Sequence, residues 1–324
     1  MLKSASMMRF LLLAIMFGSG CGDIQTEDHA SSQPDSITEP VPSPSPFSDM
    51  FSVQYGGLER TVLLHIPEGT PANAPLIIVI HGYSSQASSI ASYSGFKELA
   101  DQEKFIVAFP QGTVDAEGYA FFNVGYAFHE DVTVNDLGFI QYLVELIQTD
   151  HGASKEHVFA TGMSNGGDMS YYLACEASER FAAFAPVAGT MLQHIYQDCS
   201  PPEPRPIMAV NGTADDVTYY DGDLQNRDGW GVYLDMATIV DLWRGLGELN
   251  QTEESQLPDL DATDGSTVSR MRYYSTEHPS EFLLYRVENG GHDWPGVWGN
   301  MDLETTSEIW EFFSKVIDAS SESR

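Results

Sequence analysis

Positive charge is what this sequence has least of. Its 324 residues include 15 Lys+Arg against 47 Asp+Glu, a formal net charge of −32, and the few lysines are scattered. A phosphate backbone is bound through a basic patch or stripe, so nucleic-acid binding is excluded. Cysteine is also scarce, with three residues. Neither a Cys/His cluster nor an H-E-x-x-H spacing occurs, so no catalytic metal and no cofactor is expected. Long apolar runs are missing too. The run 10–17 (FLLLAIMF) has eight residues, far short of the roughly 20 that a membrane-spanning helix needs. What remains is 42% hydrophobic and 19% charged, the composition of a globular chain able to bury a core, and the length favours one large domain.

The start of the chain has the pattern of an export signal. Lys3 and Arg9 flank the apolar run, and Gly18-Ser19-Gly20-Cys21 follows it. Small residues leading into a cysteine resemble the lipobox of bacterial lipoproteins, although Gly18 stands where that pattern usually has Leu or another aliphatic. Residues 1–20 are therefore expected to be a signal peptide and Cys21 the lipidated first residue of the mature chain. Membrane contact would then be through that anchor alone. Cleavage as an ordinary secreted protein is the alternative. Residues 22–50 carry six acidic residues, no Lys or Arg, five Pro and six Ser. Such a segment buries too little apolar surface to offset its ordering entropy, so 21–50 reads as an acidic tether. Residues 51–324, with a net charge of −28 (13 basic against 41 acidic), read as the folded domain.

From residue 51 the hydrophobic period switches repeatedly between strand and helix types, the pattern of an α/β protein. Residues 51–55 and 61–66, joined through Gly56-Gly57, read as an antiparallel hairpin. The run 76–80 (LIIVI) is continuous and β-branched, as in a strand covered on both faces. Similar strands are predicted at 105–109, 158–162, 184–187, 207–210 and 282–287. Helices are predicted around Leu137, Ile140, Val144 and Ile147, over 236–246 and over 306–317. The expected architecture is a mostly parallel central sheet with helices on both faces.

Chemistry enters at Gly162-Met163-Ser164-Asn165-Gly166, a G-x-S-x-G sequence between a strand pattern and a helix pattern. That is the setting of a nucleophile elbow, in which a serine sits on a sharp turn with its hydroxyl exposed near the positive end of a helix. A serine needs a base, and the base needs an orienting group. Asp215 follows the strand 207–210 in Asn211-Gly212-Thr213-Ala214-Asp215. His292 follows the strand 282–287 in a glycine-rich loop that gives it no packing role. The order Ser164, Asp215, His292 is that of α/β-hydrolases. The other histidines lie in polar or edge positions, apart from His129 in the aromatic-rich segment 119–128. Oxyanion donors are expected from the N–H after the nucleophile, Asn165, and from Tyr83 in His81-Gly82-Tyr83-Ser84-Ser85.

These motifs occur together with Asn135-Asp136-Leu137-Gly138-Phe139-Ile140, Ala185-Pro186-Val187-Ala188-Gly189 and Gly291-His292-Asp293-Trp294-Pro295-Gly296. In combination, over about residues 55–317, they resemble the secreted esterase family that includes poly(3-hydroxybutyrate) depolymerases and feruloyl or acetylxylan esterases. The resemblance implies the α/β-hydrolase fold, with Ser164 as nucleophile, Asp215 as acid and His292 as base. Relatives commonly have His where Asn211 stands and Pro where Asp216 stands, so Asp216 is a reserve for the acid. Relatives also often bridge the positions of Cys175 and Cys199, the two cysteines left if Cys21 is lipidated, and an exported chain would favour that disulfide. The implied substrates are hydroxyalkanoate oligomers or acylated plant polysaccharides. Aromatic residues near the catalytic loops (Tyr119, Phe121, Phe122, Tyr126, Phe128, Tyr219, Tyr220, Trp294, Trp298) are candidates to line the site or to belong to the core. Two other readings remain open at this point: a prolyl-oligopeptidase-type serine peptidase, and a catalytically silent, surface-anchored carbohydrate-binding lipoprotein.

Overall fold

The computed structural model describes Ser43 and residues 45–322. The expected signal peptide, Cys21 and most of the tether lie outside the described residues. In chain order the elements are β1 (Phe47–Tyr55), β2 (Leu58–Ile66), β3 (Leu76–Ile80), α1 (Ala87–Tyr93), α2 (Phe96–Glu103), β4 (Ile106–Pro110), β5 (Thr113–Val114), β6 (Ala120–Phe121) and α3 (Asp136–His151). They continue with β7 (Val158–Met163), α4 (Asn165–Glu176), β8 (Ala183–Val187), α5 (Gln193–Asp198), β9 (Ile207–Gly212), α6 (Met236–Leu246), β10 (Gln251–Gln256), β11 (Thr267–Tyr274), β12 (Glu281–Glu288) and α7 (Thr305–Glu322).

Ten strands form one sheet in the order β1-β2-β4-β3-β7-β8-β9-β12-β11-β10. The middle six, β4 to β12, pair in parallel, and hairpins extend both edges antiparallel. Alternation along β3 shows how the sheet separates two cores. Leu76, Ile78 and Ile80 join Phe139, Leu143, Met169, Leu173 and Trp243 on one face. Ile77 and Val79 join Ile90, Phe96, Ile309 and Phe313 on the other. Helices therefore cover both faces, and strands buried on both sides read as continuous apolar runs.

One boundary needs correction. β1 begins at Phe47, pairing with Ile66, so residues 47–50 belong to the folded domain and not to the tether. Phe47 packs against His151 with ring centroids 6.1 Å apart, burial that the Pro/Ser-rich context conceals. Cys175 and Cys199 are disulfide-bonded, with Cα atoms 4.8 Å apart, tying the end of α4 to the end of α5. Among the described residues, no helix is long and apolar enough to cross a membrane.

Candidate active site

Parallel strands deliver their following loops to one edge of the sheet, where Ser164 follows β7, Asp215 follows β9 and His292 follows β12. Ser164 links β7 to α4 with φ 57° and ψ −121°, a left-handed conformation that costs a non-glycine residue on the order of 1–3 kcal/mol. The turn is tight enough to exclude side chains on both sides of it. A Cβ on Gly166 would lie 2.0 Å from the Ile80 carbonyl oxygen, and one on Gly162 would lie 2.5 Å from the same atom. The two outer glycines of the motif thus let the elbow pass over the end of β3. The Ser164 N–H donates to the Val187 carbonyl (2.9 Å) and its carbonyl accepts from Asp168 N–H (2.9 Å). Ser164 is partly exposed, and its hydroxyl has no hydrogen-bond partner among the described residues.

The loop after β3 lies directly on this turn, for a Cβ on Gly82 would stand 3.3 Å from the Ser164 Cβ. His81 fixes it. Its Nε2 accepts from the Gly112 N–H at 3.0 Å, so Nδ1 carries the proton and donates to the Gly82 carbonyl at 2.8 Å. Burial lowers the His81 pKa to about 4, which keeps the ring neutral in that tautomer. In a trans peptide the N–H points opposite to the carbonyl, so holding the Gly82 oxygen also fixes the direction of the Tyr83 N–H. The Tyr83 hydroxyl donates to Asp115 Oδ2 at 2.6 Å.

Asn165 opens α4, where the first N–H groups have no helical acceptor. Its side chain is engaged elsewhere. It accepts from Phe122 N–H (2.7 Å) and donates to the Phe122 carbonyl (2.9 Å), clamping the aromatic insert to the elbow. Asp215 and His292 follow the adjacent parallel strands β9 and β12. His292 Nδ1 lies 2.8 Å from Asp215 Oδ2, and the other carboxylate oxygen accepts from the N–H groups of Val217 (2.8 Å) and Thr218 (2.7 Å). The Asp215 side chain is 1% exposed and that of His292 19%. Asp216 is exposed, so the acid facing the imidazole is Asp215, not its neighbour.

Several residues here gave little or no signal in the sequence. Asp168, four residues beyond Ser164 on α4, is buried and accepts from Tyr126 Oη and Thr190 N–H, each at 2.7 Å. Burial pushes its carboxyl up to about 7. The i, i+4 spacing from the nucleophile was its only sequence cue. Asp115 and Trp230 lie far from the motifs and had none. His129 is buried, with Nε2 3.3 Å from Asp115 Oδ2. Of the aromatic candidates, Phe121, Phe122, Tyr126 and Trp294 are core, whereas Tyr119 and Phe128 are 49% and 47% exposed. A cavity of about 680 Å³ lies away from this edge; it opens among Lys155, Phe181, Arg205 and Tyr274 at the opposite ends of the strands.

Strand order, elbow and loop positions define the class: this is an α/β-hydrolase fold. No family model matches the sequence. The chain is similar to poly(3-hydroxyalkanoate) depolymerase C of Paucimonas lemoignei, 26% identical over 265 residues that cover 76% of this chain and 60% of the depolymerase. It is likewise similar to feruloyl esterase C of Emericella nidulans, 26% identical over 265 residues, covering 78% of this chain and 83% of that enzyme. Among solved structures, acetyl xylan esterase from Aspergillus awamori superposes with a TM-score of 0.59 at 14% identity, covering 82% of this chain and 99% of that one. These likenesses agree with the esterase family that the motifs resemble, and they set the chain among carboxylic ester hydrolases.

Proposed function

We propose that Ser164, His292 and Asp215 form the catalytic triad of this esterase, with the N–H groups of Tyr83 and Asn165 as the oxyanion hole. The observation that carries the reading is the 2.8 Å contact between His292 Nδ1 and Asp215 Oδ2 on the loops beside the strained serine. With Nδ1–H donated to Asp215, Nε2 is left as the acceptor for the serine proton. Ser164 Oγ then bonds to the ester carbonyl carbon, and the carbonyl electron pair moves to oxygen between the two N–H donors. Collapse breaks the bond to the alkoxy oxygen, which takes the proton from His292 and leaves as alcohol. Water, deprotonated by His292, attacks the acyl-enzyme in the same way, releasing the acid and restoring the serine.

Supporting substrates are those of the relatives' names: esters of hydroxyalkanoates and acylated plant polysaccharides. The leader pattern and Cys21 support export, with the chain either anchored by a lipid or freely secreted. The test of the triad is hydrolysis of p-nitrophenyl acetate by the wild type and by Ser164→Ala, which should lose it.

A further inference from the structure

Positive charge is scarce over residues 51–324, with 13 basic residues against 41 acidic ones, and it is unevenly spread. Five of the 13, Lys155, Arg180, Arg205, Arg272 and Lys315, line the open cavity of about 680 Å³ at the ends of the strands opposite Ser164. An even spread of the 13 would place about one there. Three carboxylates, Glu156, Glu179 and Glu281, line it too. The lining is therefore net positive in a domain of net charge −28. Topology gathers these residues, since Lys155 precedes β7, Arg180 precedes β8 and Arg205 precedes β9. Arg272 is near the end of β11, where Tyr274 pairs with Glu281 at the start of β12, and Lys315 comes from α7.

These cations keep capacity for a ligand. Arg180 pairs with Glu145 (2.6 Å), Arg205 with Glu203 (2.5 Å) and Lys315 with Glu311 (2.7 Å), and all three of those carboxylates are more than half exposed. Pairs so open to water hold weakly, and each guanidinium has further N–H donors to offer. Arg272 is held more firmly, between Glu281 (2.5 Å) and Glu253 (3.6 Å). Lys155 is exposed and has no ion pair among the described residues. Beside the charges the lining is apolar, with the buried Phe181 and with Pro206, Val316 and Ala319. A cavity of this size and make-up suits a small organic molecule. A polyanion or an anionic membrane would meet the acidic surface around the cavity as well, whereas a small anion meets the lining alone. Guanidinium forks match the two oxygens of a carboxylate, and carboxylic acids, ionised at neutral pH, are what an ester hydrolase releases.

We propose that this cavity is a second ligand site, separate from the catalytic edge, which binds a carboxylate with a ring-sized apolar body. The carboxylate is drawn to the cations that include Lys155 and Arg205, and the body lies against Phe181 and Val316. The site does not depend on which residues are catalytic. The test is calorimetric titration of the protein with sodium cinnamate as the probe. It is repeated with cinnamide, which keeps the ring and loses the charge, and with inorganic phosphate, which keeps the charge and loses the ring. Cinnamate should bind saturably, and the other two roughly tenfold or more weaker, as expected for loss of a charge-assisted contact or of the apolar burial. Lys155→Glu, at an exposed position, and Arg205→Gln should each weaken cinnamate binding roughly tenfold. Ala319→Trp, at an exposed position of α7, should fill the cavity and abolish binding. All three variants should keep the wild-type rate with p-nitrophenyl acetate, with circular dichroism verifying that each is folded. Absence of saturable cinnamate binding overturns the proposal. Equal binding by the wild type and all three variants also overturns it, since the ligand would then sit elsewhere, and phosphate binding as tightly as cinnamate would reduce the cavity to a site for simple anions and overturn the apolar half of the assignment.

Discussion

His81 and Asp168 lie buried on either side of Ser164, and burial moves their pKa values in opposite directions with opposite consequences for stability. For His81 the folded value is about 4, below that of the unfolded chain. Unfolded molecules take up the proton first, so its contribution is present above about pH 6.5 and is lost as pH falls toward 4. For Asp168 the folded value is about 7, above the unfolded one. Folded molecules hold the proton longer, so stability is lost as pH rises from about 4 through 7, by on the order of 2–4 kcal/mol. Asp168→Asn keeps an acceptor for Thr190 and supplies a donor toward the Tyr126 oxygen without a charge. The variant should therefore melt several degrees higher than wild type at pH 8 and show no advantage at pH 4, as followed by thermal denaturation at both pH values. A lower melting temperature for the variant at pH 8 would mean that the ionised carboxylate stabilises the fold. At this scale the sequence was legible where a local pattern fixes the backbone or a loop, as in the strand–turn–helix at Ser164 and the two loops that bring Asp215 beside His292. Asp168 and Asp115 matter through partners 42 and 32 residues away, and such pairings leave no local mark.

The elements around the site are held by a buried ion pair. Asp136, the first residue of α3, binds Arg60 of β2 with both side chains at most 2% exposed. It also accepts from the Asn123 N–H at 2.7 Å, so one carboxylate ties helix, sheet edge and aromatic insert together. The Arg60 guanidinium lies 3.8 Å from the centroid of the Phe139 ring. Removing one member of such a pair strands the other without a counter-charge, which typically costs about 3–5 kcal/mol. Asp136→Ala is expected to lower the urea unfolding free energy by about that amount; a loss below about 1 kcal/mol, the range of exposed pairs, would show that Arg60 finds water or another partner. The strands bordering the site were readable because burial on both faces makes them apolar throughout, and α6 was readable because its apolar stripe repeats at helical spacing. β10, Gln251–Gln256, is exposed at all six positions and holds no apolar residue, so only its pairing with β11 makes it a strand. The start of β1 was hidden in the same way, since all of its first five residues are exposed or partly exposed and follow a Pro/Ser run.

For the whole molecule, charge is the dominant feature. The folded domain carries −28 with few lysines, and like charges on its surface repel at low ionic strength. Salt shortens that repulsion to a range of about 10 Å at 0.1 M, so the melting temperature should rise between low salt and 0.5 M NaCl; an unchanged value would show that the carboxylates are too far apart or too well solvated to matter. The disulfide acts in parallel, since Cys175 and Cys199 close a loop with a sequence separation of 24, worth about 3.5 kcal/mol in the chain-entropy picture. Neither property bears on whether the sheet edge is catalytic. The most direct measurement is the hydrolysis of p-nitrophenyl acetate by wild type and Ser164→Ala, with circular dichroism to verify that the variant is folded. The account predicts steady turnover by the wild type and a loss of about 10⁴-fold or more in kcat for the variant, whereas a folded Ser164→Ala protein that keeps more than about a tenth of the wild-type rate, against the loss expected for a triad nucleophile, would contradict it.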